Sequence, residues 1–210
     1  MKLLFINASP HSEASHGYRL ALDMIGKLGR RARVQIVERD LAAQPLPPVT
    51  LDYARAITSR EPDIRHFDVS EELIREVETT DVLIINTPMH NFTVPAALKL
   101  WIDYVLRIHR TFASTPEGKV GLMRDRPAFV IVGSGGHHSG EHALQQDFLT
   151  PYLRYALGCI GVTNVHFLLL QGLVRGDEAV TAALNAARDE FEQHALFTSD
   201  SAVTHSAQPS

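Results

Sequence analysis

The sequence predicts a doubly wound α/β fold on a five-stranded parallel sheet. Three observations carry that expectation. Short, wholly apolar runs recur along the chain, as strands buried on both faces require. Segments with helical apolar spacing separate them, which is the alternation of a parallel sheet. The 210 residues, 45% hydrophobic and 21% charged, suit one ordinary core.

The first run is Leu3-Leu4-Phe5-Ile6, followed by a loop from Asn7 to about Ser15. Leu20, Ala21, Met24, Ile25 and Leu28 keep helical spacing through a segment from Gly17 to Leu28. Val34-Gln35-Ile36-Val37 reads as the second strand. Residues 42–68 carry Pro45, Pro47, Pro48 and Pro62 and are too long for a plain connection, so they form an excursion with a role of its own. Ser70 is placed to cap a helix through Thr79, with Glu71 and Glu72 in its first turn. Val82-Leu83-Ile84-Ile85 is the third strand, and Thr93 reads as the cap of a helix over 94–108 with Pro95 in its first turn. That helix is apolar on more than one face and so needs a second neighbour. Its large side chains Trp101 and Tyr104 suggest a partner subunit, since an exposed stripe would aggregate. Ala128-Phe129-Val130-Ile131-Val132 is the fourth strand. Thr150-Pro151 reads as a cap with proline at the first helical position, and that helix stops near Gly161. Val165 to Leu170 is the fifth strand, and Glu178 to Leu196 a last helix with Val180, Ala183, Leu184, Ala187 and Phe191 inward. A single domain over 1–197 results, with a small, polar tail at 198–210 expected to be disordered.

Charge and composition narrow the function. A net charge of -4 gives no general attraction to nucleic acid or an anionic membrane. No stretch approaches the roughly 18 apolar residues of a membrane helix. The opening apolar run stops at Asn7, too early for a signal peptide. The single cysteine, Cys159, excludes an intramolecular disulfide and a thiolate zinc site, and its apolar neighbours make it a buried thiol. A cytoplasmic protein is expected.

Ligands of such sheets bind at the carboxyl ends of the strands, where strand order switches. Three loops fall there. Asn7 to Gly17 lacks the G-x-G-x-x-G fingerprint and the P-loop, yet is rich in hydroxyls and feeds a helix N-terminus. Ser9 and Ser15 with helix N–H groups suit a phosphate monoester. Plain capping by Ser12 or Ser15 explains the same residues equally well. Pro88-Met89-His90-Asn91-Phe92 offers the apolar and polar mixture a flat heteroaromatic ring needs, although packing of Met89 and Phe92 under the sheet edge is the simpler account of that turn alone. Gly133-Ser134-Gly135-Gly136 permits close backbone approach to a ligand. The coincidence of all three at one end points to one site.

In order along the chain, Asn7-Ala8-Ser9-Pro10 with Ser15, Pro88 to Phe92, Leu98-Lys99 with Asp103, Thr111-Phe112, Pro116-Glu117-Gly118, Ser134-Gly135-Gly136, Pro151-Tyr152-Leu153 and Gly158-Cys159-Ile160-Gly161 form a set of spaced motifs. Over residues 1–196 the chain resembles the FMN-dependent NADH:quinone reductase/azoreductase family. The resemblance implies a flavodoxin-like sheet of order 2-1-3-4-5 and a homodimer with one FMN per subunit, the partner walling part of the cleft. Ser9, Ser15, His16 and Gly17 would cradle the phosphate. Met89, His90, Asn91 and Phe92, after Pro88, would line the ring, and Gly133, Ser134, Gly135 and Gly136 would complete the pocket. Gly17, His90 and Ser134 depart from the family's common serine, tyrosine and arginine. The implied reaction carries hydride from NADH or NADPH by way of FMN to a quinone or azo compound in ping-pong order, with no side chain as covalent nucleophile. The rival reading is a flavodoxin-type electron carrier, although such carriers tend to be shorter and more acidic. A metal site at His137, His138, Glu141 and His142 is a further rival; its spacing is not H-E-x-x-H, and solvated loop histidines explain it better.

Overall fold

The computed structural model describes residues 1–198. Parallel pairing joins β1 (Lys2–Asn7), β2 (Gln35–Asp40), β3 (Val82–Pro88), β6 (Ala128–Gly133) and β7 (Val165–Leu170) in the order β2-β1-β3-β6-β7. Counting only these strands, that is the expected 2-1-3-4-5. Strand residues alternate between two cores, as a period of two dictates. Leu3 and Phe5 pack with α1 (His16–Arg31) and α6 (Asp177–Glu192) on one face. Leu4 and Ile6 pack on the other with α3 (Asp68–Glu78), α4 (Ala96–Val105) and α5 (Thr150–Cys159). Cys159 is buried.

Several expectations about individual elements are corrected. The 42–68 excursion contains a helix, α2 (Leu51–Thr58), capped by the Thr50 hydroxyl. It folds back onto α4: Tyr53 meets Tyr104 edge-on at 5.0 Å, and the Tyr104 hydroxyl donates to the Pro47 carbonyl at 3.0 Å. The second apolar face of α4 is therefore covered from within the chain, and Trp101 and Tyr104 are only 1% and 4% exposed. They are not an interface stripe. Ser70 does not cap α3; buried inside it, its hydroxyl donates to the Tyr104 carbonyl at 2.7 Å. Around it, Arg107 and Arg110 pair with Glu71, joining α3 to the chain that leaves α4.

Thr93 does not cap α4, whose cap position is Pro95; Thr93 instead pairs with His90 across a tight turn. Thr150 does not cap α5 either. The Asp147 carboxylate does, accepting the N–H groups of Leu149 and Thr150 at 2.8 and 2.9 Å and the Thr150 hydroxyl at 2.7 Å. A hairpin of β4 (Phe112–Thr115) and β5 (Gly118–Gly121) was not anticipated. α6 ends at Glu192 rather than Leu196, and the Thr198 N–H still bonds the His194 carbonyl. The tail expectation concerns 198–210, which beyond Thr198 lies outside the described residues.

Candidate functional site

Register places the loops. Asn7 pairs with Asn86, and Pro88 with Gly133, so the carboxyl ends of β1, β3 and β6 lie side by side. Strand order reverses between β1 and β3, where a doubly wound sheet opens its crevice. A cavity of about 400 Å³ occupies that position, within the roughly 300–1,000 Å³ typical of cofactor pockets. Ser9, Ser15, His16, Gly17, Pro88, Met89, His90, Gly133, Ser134 and Gly135 line it, as the loops predict. Asn91, Phe92 and Gly136 are outside its lining. A larger groove of about 770 Å³ runs along α3, away from the carboxyl ends of the strands, and is lined mainly by charged side chains held in ion pairs, such as Glu72 and Glu76 with Arg39.

The cavity has two chemically distinct ends. At one, Ser15 caps α1 by accepting the Tyr18 N–H, and the first turn leaves the N–H groups of His16 and Gly17 without partners inside the helix. Ser9 is 3% exposed, its own N–H donating to Asn7 and its hydroxyl oxygen accepting from the His11 N–H. These donors and the positive end of the helix dipole suit an anion without a lysine. At the other end, Pro88, Met89, Leu173 and Val174 give apolar walls. The Met89 N–H is tied to the Gly133 carbonyl at 2.8 Å, locking the two turns together.

The turn after β3 is strained. Between His90 and Thr93, Asn91 has φ +47° and Phe92 φ +75°. Asparagine tolerates that region; phenylalanine does not, and a bulky residue held there is a costly feature that clusters at functional sites. The strain leaves the Phe92 ring half-exposed beside the cavity.

Sequence reasoning missed two pairs of cavity residues. Asn86 and Thr87 line the cavity although they belong to the strand, not to a loop. Leu173 and Val174 come from the turn after β7. Outside the cavity lining, the expectation of solvated loop histidines fails at His138: its side chain is buried, with Nδ1 3.2 Å from Asp147 Oδ2 and Nε2 unpartnered. The Asp147 carboxylate draws it in. Burial pushes that carboxyl up, but its bonds from Thr150 and Leu149 and the nearby His138 outweigh burial and hold its pKa below the usual range. Asp147 had a legible signal, an acidic residue three positions before a helix start. Among the described residues no group of three or more His, Cys, Asp or Glu is placed to hold a metal; the rings of His137 and His142 are 6.3 Å apart.

Comparison with known proteins bears on the same residues. A family model described as the flavodoxin-like fold matches residues 1–195. FMN-dependent NADH:quinone oxidoreductase 4 of Pseudomonas fluorescens is 59% identical over 197 residues, covering 93% of this chain and 96% of the relative. This chain belongs to the FMN-dependent NADH:quinone oxidoreductase family. A second member, oxidoreductase 5 of Burkholderia lata, is 50% identical over 92% of this chain and 94% of its own. Among solved structures, an azoreductase of Bacillus anthracis matches with a TM-score of 0.77 at 26% identity, over 90% of this chain and 98% of that one. Family membership makes the crevice between β1, β3 and β6 the place to test for FMN. The residues present fit the cofactor: an end rich in donors for a phosphate, an apolar end for a ring, and a cavity joining them.

Proposed function

We propose that this chain reduces quinones and aromatic azo compounds with electrons from NADH, using FMN held in the cavity at the carboxyl edge of the sheet. The observation that carries the proposal is the meeting of the 9–17, 86–90 and 133–135 segments in one cavity with a donor-rich end and an apolar end. When bound there, FMN supplies the two-electron chemistry that no side chain of the site provides. Ser9, Ser15 and the first-turn N–H groups of α1 hold its phosphate. Met89, Leu173 and Val174 give apolar contact to its ring and keep that side dry. In the turns beside the ring, the N–H groups of Met89, His90 and Ser134 are bonded to the Gly133, Thr93 and Leu170 carbonyls, so among the lining residues there Gly135 is the one whose N–H would be placed to meet negative charge on a bound flavin. Donor and acceptor use the same open side of the cavity in turn, which makes the kinetics ping-pong. The names of the relatives favour an oxidoreductase over a flavodoxin-type carrier.

The homodimer belongs to the same proposal, on different residues from those the sequence suggested. Phe92, Leu144, Phe148 and Val174 are 51%, 88%, 55% and 82% exposed on loops beside the cavity. A second copy covering them under a twofold axis would complete the cavity wall. Among the described residues no helix is long and apolar enough to cross a membrane, and a cytoplasmic location is proposed with the buried thiol of Cys159.

The test is an absorption spectrum of the purified protein, identification of the released cofactor, and quinone reduction with NADH and NADPH side by side. Flavin bands, FMN on release and parallel lines in the two-substrate kinetics are expected. Release of FAD, or intersecting lines, would overturn the reading. Ser15→Asp sets a carboxylate beside the phosphate and should strip FMN from the protein, while Met89→Ala weakens binding modestly. Phe148→Asp should shift the mass in solution to the monomer and lower turnover. A fully active wild-type monomer at micromolar concentration would end the dimer proposal.

A further inference from the structure

We propose that Asn86 is a positioning residue of the phosphate end: its carboxamide fixes the Ser15 hydroxyl as a donor to the bound anion, and Gly17 is the residue that leaves it room. The inference rests on the phosphate reading above.

Asn86 lies near the carboxyl end of β3, 2% exposed, and lines the cavity. Its Nδ2 donates to Asn7 Oδ1 at 2.8 Å and to Ser15 Oγ at 3.3 Å. The orientation of both amides follows from Asp40. One Asp40 oxygen accepts the N–H groups of Ala42 and Ala43; the other accepts Asn7 Nδ2 at 3.0 Å. A carboxylate only accepts, so Asn7 must turn its NH₂ to Asp40 and its oxygen inward. That oxygen also accepts the Ser9 N–H. Asn86 must then present NH₂ to Asn7, and its second amide hydrogen reaches Ser15.

The consequence falls on Ser15. A hydroxyl has two acceptor sites and one donor. Ser15 Oγ accepts the Tyr18 N–H at 3.4 Å and Asn86 Nδ2 at 3.3 Å, so both acceptor sites are occupied. Only the hydrogen is left, and donation is the polarity an anion needs. A serine on a surface loop rotates freely; this one is set in advance.

Gly17 completes the device. A Cβ at this position would stand 2.0 Å from Asn86 Oδ1. Any side chain there displaces the carboxamide from its two bonds. Gly17 and Asn86 are thus one unit, split between α1 and β3.

The experiment titrates the full-length chain, freed of flavin, with FMN and with riboflavin, which lacks the phosphate. Asn86→Ala should weaken FMN about tenfold and leave riboflavin unchanged. Asn86→Asp, similar in shape but unable to donate, should show the same selective loss and covers the case in which Asn86→Ala does not fold. Gly17→Ser alone should also weaken FMN. Gly17→Ser with Asn86→Ala should recover it, because the serine then has space and supplies a hydroxyl in place of the lost control of Ser15. Equal losses for FMN and riboflavin, or no recovery in the double variant, would overturn the proposal. Ser15→Asp separates the two readings. If it weakens FMN selectively while the Asn86 variants do not, only the role of Asn86 falls. If it leaves FMN unaffected, the phosphate reading falls and this inference with it.

Discussion

Alanine in place of Gly17 and alanine in place of Gly29 are the same substitution in the same helix, and the structure predicts opposite signs. At Gly17 the new methyl group would lie 2.0 Å from Asn86 Oδ1, 3.0 Å from its Cγ and 3.1 Å from Ile131 Cγ2. Asn86 must leave its bonds to Asn7 and Ser15, and a buried donor left unpaired costs about 1–3 kcal/mol. Overpacking against Ile131 adds about 1 kcal/mol or more. The gain from replacing glycine in a helix is at most about 1 kcal/mol. Net destabilisation of about 1–3 kcal/mol follows, a fall in Tm of roughly 2–4 °C per kcal/mol for a domain of this size. At Gly29, on the exposed side of α1, nothing lies within 4 Å of the added Cβ. Only the propensity gain remains, about 0.5–1 kcal/mol of stabilisation. Urea unfolding of both variants without flavin reads the difference directly, because bound cofactor would add its own stabilisation. A Gly17→Ala protein as stable as Gly29→Ala would refute the contact with Asn86 and the account of why position 17 is glycine.

Asp147→Ala removes the cap of α5 and should cost about 1–2 kcal/mol at neutral pH. Because the folded pKa of Asp147 is depressed, its contribution is present above the unfolded value near 4 and is lost as pH falls through the folded value. The variant should therefore show a shallower acid limb in stability against pH. His166 and His194 sit against Phe129 and each other, and burial first, then neighbouring positive charge, lowers both pKa values. Their neutral forms favour the fold, so stability should fall as pH drops below about 6.5; replacing both with glutamine should flatten that window in pH-dependent melts. Tyr104→Phe removes the bond to Pro47 and should loosen the 42–50 segment, read as faster proteolytic cleavage there at a cost of about 1 kcal/mol. Trp101→Asp should abolish folding rather than split a dimer, since the ring is buried within one chain; a folded Trp101→Asp monomer seen by circular dichroism and light scattering would contradict this.

Three of the five sheet strands, at Leu3–Ile6, Val82–Ile85 and Ala128–Val132, were legible because strands buried on both faces must be apolar throughout; the edge strand β2 is largely exposed, and it runs from Gln35 to Asp40 rather than over Val34–Val37. The alternation with helices then fixed the class, and the class fixed which ends of which strands face a ligand. Most of the cavity lining followed from that rule alone. Helix ends were read less well. Thr93, Thr150 and Ser70 are all good capping types, but the chain used Pro95, Asp147 and Phe67 at or near those ends; a tertiary partner, the Tyr104 carbonyl, claims the Ser70 hydroxyl, and the neighbouring Asp147 claims that of Thr150.

Tertiary structure decided what no local pattern encodes. At the end of the hairpin β4–β5, Gly121 lets its backbone lie directly against Ile160 and Gly161, a contact between segments distant in the chain that leaves no periodic trace. The apolar excess on α4 read as a subunit face, and only the return of the 42–68 segment shows that Tyr53 and the Pro47 carbonyl cover it. Asn86 reads as the start of a loop, although it belongs to β3, and His138 reads as a solvated loop residue. Their roles depend on Asp40, Ser15 and Asp147, which are brought to them by the fold. The sequence determines which segments must be buried, since hydrophobic burial is set by residue type and period. It does not determine which polar groups meet, since a hydrogen bond depends on ångström-scale approach between elements distant in the chain.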